Sequence, residues 1–160
     1  MRLSIIAVGR LKDGPERDLY LRYAKRIDET GRAVALGPLA LTELAEARQA
    51  SAKQRQADEA GRIASAAQGA DLAVALDETG TTLTSAAFAS WIGARRDEGH
   101  RSLAFLIGGA DGHGPAALAA ARLKLSLGPM TLPHGLARIV LAEQIYRAAT
   151  ILAGHPYHRA

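Results

Sequence analysis

Cysteine is missing from all 160 positions of this chain. That excludes disulfide bonds, thiolate metal sites and a cysteine nucleophile. The chain also lacks any apolar run long enough to span a bilayer, so no membrane association is expected. Its one N-terminal apolar stretch, Leu3 to Val8, is followed by no small-residue cleavage site and reads as a buried strand, not a signal peptide. A cytoplasmic location is therefore expected. Charge of one sign is scarce: 20 Lys and Arg stand against 16 Asp and Glu, a formal net charge of +4, with no basic arm or dense tract. Such a chain grips a polyanion weakly by itself, so an RNA target would have to contribute shape, or a partner subunit would have to help. The five His include no HExxH pair, and His155 and His158 have no third ligand nearby in sequence. No metal site is expected.

What is present is a regular alternation of strand-like and helix-like segments. The length suits one domain, residues 1–160. Met1 to Gly9 reads as a buried strand. Pro15 opens a helix with Leu19, Tyr20, Tyr23 and Ile27 on its apolar face, ended by Gly31. Ala33 to Leu36 reads as a second strand. Thr42 then caps a long polar helix reaching about Gln68, whose middle, Arg48 to Glu59, is expected to be solvated and frayed or broken. Asp71 to Leu76 is a third strand. Thr84 caps a helix with Ala87, Phe88, Trp91 and Ile92 facing the core. Leu103 to Ile107 and Leu123 to Leu127 are the fourth and fifth strands, separated by a short helix over Ala116 to Arg122. Pro133 to Ala153 is a final helix, stopped by Gly154 and Pro156. The alternation predicts an α/β fold with a largely parallel sheet. The final helix is apolar around most of its circumference, so it is expected to be covered on more than one side, by a second copy of the chain in a homodimer.

Ligands of parallel α/β proteins gather beyond the carboxyl ends of strands. Three glycine-bearing loops occupy such ends: Leu76 to Gly80, Gly108 to Pro115, and Leu127 to Leu132. Together they describe a site built from main-chain N–H and C=O groups. The Gly108-Gly109-x-x-Gly112-x-Gly114 cluster is neither a dinucleotide fingerprint nor a Walker loop. The chain ends on Gly-His-Pro-Tyr-His-Arg-Ala, an unusual concentration of proton-carrying and cationic groups after an apolar helix. That pattern suggests a tail folded back over a site.

Several segments taken jointly carry a resemblance. They are Ala7-Val8-Gly9, Leu76-Asp77-x-x-Gly80, Ile107-Gly108-Gly109-Ala110-Asp111-Gly112, Leu125-Ser126-Leu127, Met130-Thr131-Leu132-Pro133-His134 with Arg138, Glu143-Gln144-Ile145-Tyr146-Arg147-Ala148, and His155-Pro156-Tyr157-His158-Arg159. They resemble the small ribosomal RNA methyltransferases of the SPOUT class, and in particular the large-subunit pseudouridine N3-methyltransferases. The chain departs from many relatives in having Thr81 where Lys is frequent, Gly128-Pro129 in place of Ser-Lys, and Gly135 in place of Gln.

The resemblance implies an α/β fold with a mostly parallel sheet and a C-terminal trefoil knot. It implies a homodimer acting on a pseudouridine in a hairpin loop of 23S ribosomal RNA within the assembled ribosome. It implies S-adenosylmethionine as cofactor, held by Leu76, Gly108, Leu127, Gly128, Pro129, Met130, Thr131 and Leu132. Moving a methyl from a sulfonium to an imide nitrogen requires orientation and removal of the N3 proton. His158 is the first candidate base. Tyr157 is the second, better suited to orienting or stacking, and His134 is the third. Arg138, Arg159 and His155 are the candidate substrate contacts, the arginines by holding phosphate or stabilising imide charge. Glu143 and Arg147, four apart, read as a structural ion pair. Two rival readings remain: a tRNA ribose 2′-O-methyltransferase of the same fold, and a non-catalytic ribosome-associated factor.

Overall fold

The structure is a computed structural model that describes residues 1–157. Five strands form one sheet: β1 (Arg2–Val8), β2 (Leu39–Leu44), β3 (Leu72–Thr82), β4 (Ser102–Ile107) and β5 (Leu123–Ser126). Their order is β2-β1-β4-β3-β5, and every pairing is parallel. The helices are α1 (Pro15–Gly31), α2 (Ala52–Ala67), α3 (Ser85–Asp97), α4 (Pro115–Ala120) and α5 (His134–Leu152). Among the described residues no helix is long and apolar enough to cross a membrane.

The side chains of β1 and β4 alternate between two separate cores. On β1, Leu3, Ile5 and Ala7 point into a large core with residues of α1, α3 and α5, whereas Ile6 and Val8 point into a smaller one with Ile63 of α2. On β4, Leu103, Phe105 and Ile107 serve the first core, and Ala104 and Leu106 the second. Strands buried on both faces read as continuous apolar runs, which is why β1 and β4 were legible.

Three elements differ from those expected. The second strand is Leu39–Leu44, not Ala33 to Leu36, because residues 32–34 form a 3-10 turn and Ala35 takes a left-handed conformation. Thr42 lies within that strand, so it caps no helix. The α2 cap is Ser51, whose hydroxyl accepts from the Gln54 N–H at 3.2 Å. Finally, β3 does not stop at Leu76. A bulge shifts its register, and Thr81 and Thr82 pair again with Leu125 and Ser126 of β5.

The long α5 anchors the first core, with Ile139, Leu141, Ala142, Ile145, Tyr146, Ala148 and Ala149 all buried. Leu136 and Val140, one turn apart, remain 42% and 36% exposed. Trp91, expected inside, is half-buried, with the Arg95 guanidinium 5.7 Å from its ring centre.

Candidate active site

A cavity of about 870 Å³ opens at the carboxyl ends of β3, β4 and β5. Its walls include Leu76, Gly108, Leu127, Gly128, Met130, Thr131 and Leu132, so seven of the eight expected cofactor contacts converge on one space. Pro129 is an exposed residue of the same loop and is absent from the lining. Gly108 lies where the chain doubles back. A Cβ there would meet the main chain of Gly112 and His113 at 2.9–3.1 Å, so only glycine lets the loop close. Ser126 steadies the third loop, its hydroxyl accepting from the Gly128 N–H and donating to the Gly128 carbonyl, both at 3.2 Å.

The wall is acidic. Asp77, Glu78 and Asp111 line it, and among the described residues no lysine or arginine does. Arg55 neutralises Asp111 through a pair at 2.8 Å, leaving Asp77 and Glu78 as net negative charge. The Thr79 hydroxyl and N–H donate to Asp77 and hold its carboxyl below the usual carboxylate range, so it is ionised at neutral pH. Such a wall favours a cationic ligand and repels a phosphate.

His113 was not singled out in the sequence, yet it lies at the cavity floor and is only 7% exposed. Its Nε2 is 3.2 Å from the Leu106 carbonyl. A carbonyl can only accept, so Nε2 carries the proton. Burial pulls the imidazole pKa down, with the Leu106 carbonyl opposing, and the ring is neutral.

The candidate polar residues are distributed differently. His134, the first residue of α5, lines the cavity and also a second cleft formed by residues 9–16 with Glu46, Gly135 and Arg138. Arg138 does not reach the main cavity. It is 1% exposed, and its Nη1 pairs with Glu43 at 2.6 Å while Nη2 donates to the Gly9 carbonyl at 3.1 Å. Burial lowers its pKa and Glu43 opposes that shift. Its place is that of a tie between β1, β2 and α5, not of a phosphate ligand.

His155 ends α5. Its N–H donates to the Thr150 carbonyl at 2.9 Å, and its Nδ1 accepts from the Tyr157 N–H at 3.2 Å. Tyr157 stacks at 4.6 Å on Tyr146, donates to Glu143 at 3.3 Å, and has the Arg147 guanidinium 5.1 Å from its ring centre. Burial, with Tyr23 and Glu143 adding to it, pushes the phenol up to about 12. The expected Glu143–Arg147 pair is present at 2.7 Å. Glu143 and Tyr146 stand nine and twelve residues beyond His134, roughly 14–18 Å along the helix axis. The tail, as far as Tyr157, therefore does not fold over its own cavity. His158 and Arg159 lie outside the described residues.

Residues 1–158 match a family whose model is described as a predicted SPOUT methyltransferase. A curated protein of Rhizobium meliloti (strain 1021), "Ribosomal RNA large subunit methyltransferase H", is 52% identical over the full length of both chains. Its namesake from Brucella anthropi is 51% identical, again over both full lengths. A solved structure of a probable methylase family protein from Haemophilus influenzae Rd KW20 superposes with a TM-score of 0.52. It is 10% identical, and the match covers 99% of this chain and 70% of that one, so it bears on the fold alone.

Proposed function

The chain belongs to the SPOUT methyltransferase family, and from that premise we propose that it transfers a methyl group from S-adenosylmethionine to N3 of a pseudouridine in large-subunit ribosomal RNA. The observation that carries the proposal is the cavity at the ends of β3, β4 and β5, with its main-chain loops and its acidic wall. S-adenosylmethionine carries a sulfonium and an ammonium against one carboxylate, a net cation that suits Asp77 and Glu78. Relatives about 50% identical over their whole length carry a name that specifies large-subunit ribosomal RNA, which supports that substrate here.

The residues divide the work. Leu76, Gly108 and residues 127–132 hold the donor, and the sulfonium supplies the electrophile when bound. His134 stands where the donor cavity meets the second cleft and orients the acceptor base there. The N3 proton must leave as the methyl arrives, and His158 takes it. Tyr157 suits that role less: its phenol, pushed up to about 12, is protonated at neutral pH and donates to Glu143.

The place of Tyr157 against Glu143 and Tyr146 of α5, well along the helix from its own cavity, supports an active site completed by a second copy of the chain. Leu136 and Val140 give α5 the exposed apolar strip such a dimer would cover. The trefoil threading and the action on the assembled ribosome belong to the same proposal.

The test is methyl transfer to ribosomes prepared with and without prior pseudouridylation, followed by nucleoside mapping. Methylpseudouridine appearing only in the pseudouridylated ribosomes supports the proposal. A methylated ribose in tRNA, or no transfer at all, refutes it.

A further inference from the structure

Helix α2 brings to the cavity a fourth segment that the three strand-end loops do not account for. Its polar middle grips the glycine loop that follows β4. Arg55 holds Asp111 through two bonds, Nε to Oδ2 at 2.8 Å and Nη2 to Oδ1 at 3.1 Å. Gln56 Nε2 donates to two main-chain carbonyls of that loop, those of Asp111 at 3.0 Å and His113 at 3.1 Å. Glu59 is 4% exposed, accepts from the Ala47 N–H at 2.8 Å, and lies against Gly109.

The two bonds made by Gln56 settle which way its amide points. The nitrogen has two hydrogens, and each has a carbonyl to meet. A flipped amide would set its oxygen against two other oxygens. The Gln56 Oε1 is thereby held in one orientation, on a residue that itself lines the donor cavity, and no donor among the described residues engages it.

We infer that Gln56 is a further donor-binding residue, whose amide nitrogen sets the glycine loop and whose carbonyl oxygen accepts a hydrogen bond from an N–H or O–H of S-adenosylmethionine. The inference rests on reading the cavity as the donor site. It gives α2 a part in cofactor affinity, and it makes Arg55 a positioning residue acting through Asp111.

The test is calorimetric titration of S-adenosylmethionine into the full-length protein and its Gln56→Met variant, with steady-state methylation of ribosomes alongside. Methionine keeps the length and helix propensity of glutamine and removes the amide. The donor Kd and donor KM should rise about tenfold, the loss expected for one to two hydrogen bonds. The ribosome KM should hold, and the melting temperature should fall by only about 2–4 °C per kcal/mol of the two loop bonds lost. A purely structural role would instead lower kcat and melting temperature together and leave the donor Kd within about twofold of the parent. Donor affinity within about twofold of the parent, well under one hydrogen bond's worth, overturns the inference. No binding by the parent protein overturns the donor-site reading, and this inference with it. Gln56→Glu is titrated alongside. Glutamate keeps an accepting oxygen and loses both loop bonds, so a donor Kd that rises less than in Gln56→Met, with a comparable fall in melting temperature, supports the carbonyl contact, and an equal rise in both variants overturns it.

Discussion

At the scale of single residues, the polar groups of this chain separate into those that hold the structure and those left free to react. Arg138 belongs to the first kind. Its charge is buried and balanced by Glu43, whose Oε1 also accepts from the Leu11 N–H at 2.7 Å. Arg138→Ala leaves that carboxylate without its cation and should cost about 3 kcal/mol in chemical denaturation. An RNA-contacting arginine would lose substrate affinity with stability intact.

Tyr157 should tolerate loss of its hydroxyl. Tyr157→Phe keeps the stack on Tyr146 and is expected to retain kcat within about fivefold, one hydrogen bond's worth. His158→Ala should lower kcat by about a hundredfold, the range of a lost general base. Comparable kcat values for the two variants would return Tyr157 to consideration as the base.

His113 makes a pH prediction. Its folded pKa lies below the ordinary imidazole value, so the unfolded chain takes up a proton that the folded chain refuses. Its stabilising contribution is present above about pH 6.5 and is lost as pH falls through the depressed folded value. Denaturation midpoints at pH 7 and pH 5 should differ more for the parent protein than for His113→Leu. Equal differences would mean that the ring is not held neutral.

At the scale of elements, what was legible was what local physics decides. Continuous apolar runs announced β1 and β4, and Pro15 and Thr84 marked the starts of α1 and α3. The glycine loops announced the cavity, although not its acidic wall. What was hidden depends on distant partners. Leu39–Leu44 is a strand because β1 pairs with it, and nothing within the segment says so. The polar middle of α2 read as a solvated stretch because polarity alone does not reveal a partner. Arg55, Gln56 and Glu59 are polar because a loop some 55 residues away needs to be gripped. The continuation of β3 beyond Leu76 is hidden for the same reason. It requires Gly80 to lie flat against β5, where a Cβ would meet the Lys124 main chain at 2.7 Å. Gly80→Ala should therefore destabilise the fold by about 1–3 kcal/mol, as overpacking does, with weaker donor binding because Leu76 and Leu125 both line the cavity. Parental stability in that variant would contradict the β3–β5 geometry.

At the scale of the whole molecule, the proposal joins a modest net charge, a Tyr157 held away from its own cavity and an exposed apolar strip on α5. A dimer reconciles all three. In the proposed dimer a second subunit would double the cationic surface, cover Leu136 and Val140, and bring a tail to the cavity it faces. Val140→Glu should shift the sedimentation profile to monomer and abolish methyl transfer while donor binding survives. A monomeric variant that still turns over would dissolve the composite site.

The central claim is that S-adenosylmethionine lies in the cavity at the carboxyl ends of β3, β4 and β5. The most direct measurement is a crystal structure grown with that compound. Density is expected against Leu76, Gly108 and residues 127–132, with the Gln56 carbonyl oxygen within hydrogen-bond distance. Density lodged anywhere else on the chain would contradict it.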